Sequence, residues 1–191
     1  TTKDGLAALR SIQHKGNGYW ITEDRFQQPR PNMFDTSLRT PLLVRHPAAG
    51  RPGTVVQEWV ANSDIFASVL GLLQVEKPAG VPARSRDFSP AVRGEVLPAA
   101  QFPRELFGQY DLVNNPSKRS MRMIRTDRWK LILHLNAYAQ HELYDLAADP
   151  GERSNLFGQP AQAEVVRELT LRIRAHMQAI ADPRLSELPP G

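Results

Sequence analysis

Arginine is the residue type in this sequence best suited to chemistry. Arg119, Arg122, Arg125 and Arg128 crowd one short stretch, and Arg30 stands alone between Pro29 and Pro31. A guanidinium binds phosphate, sulfate or carboxylate through paired N–H donors. The net charge of +4 and the pI of about 9.7 admit an anionic partner: a nucleic acid, a sulfated sugar or an acidic protein. The charges are spread along the chain, so a solvated surface of mixed sign is the plain alternative. No RNA- or DNA-binding motif accompanies them, which sets nucleic acid aside.

Covalent chemistry is poorly served by the residue types present. There is no cysteine, hence no thiolate nucleophile, no thiolate metal site and no disulfide. His14, His46, His134, His141 and His176 form no pair at metal-ligand spacing. Asn17 precedes Gly18 and suits a turn. Asp64 follows Ser63 at the head of an apolar run and reads as helix-start capping. Trp129 and Tyr144 read as packing residues.

The elements that must position these groups follow from periodicity. Residues 4–14 suit a short helix that Gly16 and Gly18 stop, and residues 22–36 a loop. Leu42-Leu43-Val44 reads as a buried strand and Val55 to Val60 as another strand. Ile65 to Leu73 reads as a helix buried on most sides, and 84–104 as irregular. Leu106 to Tyr110 reads as a strand. Arg119–Ile124 and Arg128–Leu135 then pair as a hairpin about Thr126-Asp127. Alternation predicts one apolar face, with Met121, Met123, Trp129, Leu131, Leu133 and Leu135, and a mixed face with Arg128, Lys130, Ile132 and His134. A strand over Glu142–Leu146 and a long amphipathic helix over Pro160–Ala181 complete the reading; Val165, Val166, Leu169, Ile173, Met177 and Ile180 mark the helix's buried stripe.

The fold class is therefore α/β. Residues 1–100 supply pieces of an α/β sheet, residues 101–185 an antiparallel α+β subdomain, and 186–191 a tail. The boundary falls in the Pro-rich stretch 94–104. No stretch approaches the ~18 apolar residues of a membrane span, and the first residues carry no targeting signal. No membrane partner is expected, and the compartment stays open.

Five phrases in order resemble the sulfatase family. They are PRPNMFDTSLRTPLLVR (29–45), VANSDIFASVLGLL (60–73), RDFSPAVRGE (86–95), RSMRMIRTDRWKLIL (119–133) and HELYDLAADPGERSNL (141–156). The resemblance implies the C-terminal portion of an alkaline-phosphatase-like fold. That portion ends in a small antiparallel sheet of about four strands packed by a long helix, as periodicity suggests for 105–182.

The resemblance also implies sulfuric ester hydrolysis in the intact protein. A calcium-type divalent cation and cationic side chains there stabilise charge on the sulfuryl oxygens. The family nucleophile lies in Cys/Ser-x-Pro-x-Arg. No such motif occurs here, and Ser89-Pro90-Ala91-Val92-Arg93 has the wrong spacing. This chain alone is therefore expected to be inactive, either as a truncated protein or as the partner of a separate N-terminal half. The family's Asp-Asn/His-Gly metal turn maps to Gly16-Asn17-Gly18, which makes Asn17 a candidate metal ligand as well as a turn residue. Gly16 brings no oxygen ligand where the aspartate belongs, and Thr22-Glu23-Asp24-Arg25 lacks the family's histidine. The sulfate-contacting lysine maps to Arg30, which otherwise reads as a solvated loop arginine. The substrate class is a sulfate-ester small molecule or glycan. A different reading is a non-catalytic module that binds anionic polymers such as sulfated glycans through the hairpin 119–130.

Overall fold

The computed structural model describes residues 32–47, 49–50, 53–80, 85–111, 120–135 and 141–188. Its centre is a four-stranded antiparallel meander: β1 (Glu105–Asp111), β2 (Ser120–Thr126), β3 (Trp129–His134) and β4 (Glu142–Asp145), in that spatial order. The β2–β3 turn is fastened by Thr126, whose Oγ1 accepts from the Trp129 amide at 2.9 Å and donates to the Trp129 carbonyl at 3.1 Å. Helix α4 (Ala163–Ala179) follows a 3-10 turn at Pro160–Gln162 and packs on the sheet. Its Leu169, Ile173 and Met177 are spaced to fall on one side.

The register corrects the expected division of the hairpin into one apolar and one mixed face. Ile124 stands opposite Leu131, while Met123 stands opposite Ile132 and Met121 opposite His134. The methionines therefore lie on the side of Lys130 and Ile132, away from Leu131 and Leu133. Both faces are buried. Ile124, Leu131, Leu133 and Leu143 pack under α4. Met121, Met123, Ile132 and Tyr144 pack under Met33 and Phe34. A sheet covered on both sides carries apolar residues at consecutive positions, so alternation alone assigns the faces wrongly.

The loop expected over 22–36 ends in a helical turn, α1 (Asp35–Leu38). Helix α2 (Asn62–Leu73) forms where expected. Asp64 works at its start: its Oδ2 accepts from the Ala61 amide at 2.8 Å, and its carboxylate also holds Arg86, 2.5 Å from Nη2. The helix is not buried on most sides, however. Asp64, Ala67 and Ser68 face inward, and Ile65, Phe66, Val69 and Leu73 face solvent. The stretch 84–104 contains a short helix, α3 (Ser89–Val92), over a small cluster of Phe88, Ala91, Leu97 and Phe102.

Leu42–Val44 and Val55–Val60 form no strand. Leu43 is 92% exposed and Val55 74%. A strand needs a ladder partner, and none is present among the described residues. The helix expected over 4–14 and the candidates Asn17 and Arg30 lie outside the described residues. No helix among the described residues is long and apolar enough to cross a membrane.

Candidate functional site

Three residues beyond Arg30, the chain enters a buried ion cluster on the Met123–Ile132 side of the sheet. Lys130 is 0% exposed. Its Nζ donates to the Met33 carbonyl at 3.1 Å, to Glu152 Oε1 at 2.6 Å and to Asp35 Oδ1. The Asp35 amide donates to Glu152 Oε2 at 2.7 Å. Arg125 closes the group, with Nη2 at 2.9 Å from Asp35 Oδ2. Its guanidinium also lies 4.3 Å from the centre of the Trp59 ring. Phe34, between the two gripped residues, meets Tyr144 edge-on at 5.9 Å.

The charges within the cluster are matched. Burial alone would push the Asp35 carboxyl up; the hydrogen bonds and charges of Arg125 and Lys130 outweigh it and hold that carboxyl below the usual range. Asp35 therefore stays ionised well into acid. Lys130 and Arg125 belong to the strand pattern, Asp35 opens α1 at the end of the expected 22–36 loop and Glu152 lies in a loop, so sequence reasoning passed over all four as a group. The available signal was a lysine on a strand otherwise filled by Leu131, Ile132 and Leu133.

The closing phrase 141–156 supplies the other side of the clamp. Glu142 Oε1 lies 2.8 Å from His134 Nε2, and its Oε2 accepts from the Tyr144 hydroxyl at 2.7 Å. Asp149 Oδ2 accepts from the amides of Arg153 and Ser154 at 2.6 and 2.8 Å. Asn155 Oδ1 accepts from the Leu143 amide at 2.9 Å and ties the loop back to β4. These side chains fold the loop so that Glu152 enters the sheet's face. His141 Nδ1 accepts from the His134 amide at 3.1 Å. Burial, with a smaller push from His134, lowers the pKa of His141.

The hairpin arginines are engaged with carboxylates. Arg122 is buried between Asp182, 2.6 Å from Nε, and Asp111, 3.1 Å from Nη1. Arg128 pairs with Asp145 at 2.8 Å. Among the described residues no group of three histidine or carboxylate side chains is placed to hold a metal ion. The described donor set does not fit calcium.

Residues 23–179 match the family model described as N-sulphoglucosamine sulphohydrolase, C-terminal. The chain belongs to the sulfatase family. Within that family it is similar to an N-acetylglucosamine-6-O-sulfatase of Bacteroides thetaiotaomicron, 29% identical over 72% of this chain and 24% of that protein. A delta 4,5-hexuronate-2-O-sulfatase of the same organism is 30% identical over 80% of this chain and 31% of its own length. Steryl-sulfatase of Mus musculus is 26% identical over 92% of this chain and 32% of its own length. A solved structure in complex with its substrate D-glucosamine-2-N,6-O-disulfate superposes with a TM-score of 0.62 at 26% identity, over 73% of this chain and 28% of that one. This sulfatase segment thus spans about a quarter to a third of the length of these relatives. Its four-stranded sheet and long helix are the C-terminal part of an alkaline-phosphatase-like fold.

Proposed function

We propose that this chain is the C-terminal working part of a sulfate-ester hydrolase, and that it is inactive until joined to the portion carrying the nucleophile. The observation that carries the reading is the apolar surface on the 42–75 region. Leu42, Leu43 and Val44, then Val55 and Val56, then Ile65, Phe66, Val69 and Leu73 all face solvent. Exposed apolar side chains gathered in one stretch of chain support an interface there. Its occupant in this reading is the sulfatase catalytic portion, whose sheet the two extended segments would join.

In that assembly Arg30 contacts the sulfuryl oxygens. Its planar fork can meet two of them at once and stabilise the charge that builds as the ester bond breaks. Asn17 would be this chain's contribution to a divalent-cation site completed elsewhere. The names of the relatives favour sulfated sugars as the substrate class. The alternative, a free-standing binder of anionic polymers, is less well supported, because Arg122, Arg125 and Arg128 are each paired with a carboxylate.

Two preparations test this: the purified chain alone, and the chain co-expressed with a portion bearing Cys/Ser-x-Pro-x-Arg. The expected result is hydrolysis of an aryl sulfate by the pair only, abolished by Arg30→Ala. Turnover by the chain alone, or a pair that assembles without turnover, defeats the proposal.

A further inference from the structure

We infer that His141 is an acid-sensitive latch: a proton on its ring breaks the last rung between β3 and the closing loop 141–156 and frees the end of that loop. The β3–β4 ladder ends at the pair Ile132–Glu142. Backbone N–H groups along a strand point alternately to its two sides, and the Leu135 amide donates to the Ser120 carbonyl on β2 at 2.8 Å. The His134 amide therefore points to the β4 side, beyond the ladder's end. The acceptor it meets there is the His141 side chain, with Nδ1 at 3.1 Å. A backbone N–H only donates, so Nδ1 holds a lone pair and the neutral ring carries its proton on Nε2. A carbonyl in that place would accept throughout the physiological range; an imidazole accepts only while it is neutral.

The rung is joined to the loop's far end. Asn155 Nδ2 donates to the His141 carbonyl at 3.0 Å, and Asn155 Oδ1 accepts from the amides of Leu143 and Phe157, each at 2.9 Å. The Phe157 ring meets the His141 ring edge-on, with 5.0 Å between centres. A proton on Nδ1 sets N–H against N–H across the rung and places a charge in a half-buried site. Among the described residues, the titratable groups that face the ring are His134 on β3 and Glu142 on β4; the loop presents Asn155 and Phe157, which carry no charge. The Glu142 oxygens are engaged elsewhere, Oε1 with His134 Nε2 and Oε2 with the Tyr144 hydroxyl. Burial, and after it His134, lowers the pKa of the His141 ring, as a buried neutral acceptor requires. Opening the rung lets the ring titrate at its ordinary value of about 6.5, so the open form gains as pH falls from there toward the folded value.

The test is native-state amide exchange on the full chain across about pH 7.5 to 5, which brackets the ordinary histidine value, with and without dilute urea. Long-range proton–nitrogen NMR of the His141 ring is recorded beside it. Corrected for the intrinsic exchange rate, the opening constant of the His134 amide should rise by up to about tenfold per pH unit below about 6.5. It should exceed that of the Leu135 amide throughout and ignore urea, because a local opening exposes little surface. The Leu143 and Phe157 amides should follow His134. His141→Asn keeps an acceptor near the place of Nδ1 without a titratable ring, and should make the His134 opening constant independent of pH. The wild-type ring should show a bare Nδ1 at neutral pH, a readout that does not depend on the variant's folding. A protonated Nδ1 at neutral pH overturns the latch. So does a His134 opening that is constant with pH, or one that equals Leu135 and grows with urea. A pH dependence that survives His141→Asn belongs to His134 or Glu142 and overturns it as well.

Discussion

Ile124, Leu131, Ile132 and Leu143 on the meander are withdrawn completely from solvent, whereas Leu43 and Val55, no less apolar, stand almost bare. The difference lies in the supply of partners. Each meander strand pairs with its neighbour in sequence, and α4 and Met33–Phe34 cover the two faces. The region from Leu42 to Val75 has extended segments and an amphipathic helix, but no covering layer among the described residues. The same residue types thus build a finished core in one region and stay exposed in the other.

Substitutions in the finished region should cost most. Arg122→Ala leaves Asp182 buried without its guanidinium partner; a loss of about 3–5 kcal/mol is expected in urea unfolding followed by circular dichroism. Ile173→Ala empties a site between α4 and the sheet and should cost about 2–5 kcal/mol in the same assay. If both fell below ~1 kcal/mol, the sheet would not be the cooperative unit the contrast requires.

Acid should attack the same region. Arg122 lowers the Asp182 carboxyl; burial would raise Asp111 and Asp35, but their basic partners lower them below the usual value. A carboxylate depressed in the fold contributes stability above its unfolded pKa of about 3.9 and loses it as pH falls through the folded value. Stability should therefore hold to about pH 4 on account of these groups and fall below it. His141 adds a smaller, earlier step. Its folded pKa is lowered, so the fold favours the neutral ring and loses stability as pH drops from about 6.5 toward the folded value. Replacing His141 with Gln should flatten Tm against pH across that window.

The smallest effect sharpens the contrast. Phe66→Ser, on the open face, should change the stability of the chain alone by no more than about 0.5 kcal/mol. The same substitution should weaken assembly with the catalytic portion in a pull-down titration. A large loss in the isolated chain would show that this face is already covered.

How far the sequence was legible varies along the chain for the same reason. The hairpin, β1, β4 and α4 lie where their patterns place them, because their partners are local. Leu42–Val44 and Val55–Val60 carry strand-like composition, but a ladder depends on a neighbour that composition does not contain. The faces of β2 and β3 were misread because Met121 and Met123 are apolar on a sheet buried from both sides. Lys130, Asp35 and Glu152 were missed as a group because they come together from distant parts of the chain. Arg30 and Asn17 rest on family resemblance and lie outside the described residues.

Asp35 and Glu152 are 117 positions apart in sequence. At ~5–20 residues per second on the ribosome, roughly 6–23 s pass between their syntheses. A hairpin such as β2–β3 closes within about 1–10 μs once its residues are free. The Met33–Asp35 segment therefore waits seconds for Glu152, although Lys130 can hold it earlier. Completion of the Met33–Asp35 contact is timed by the arrival of a single loop glutamate.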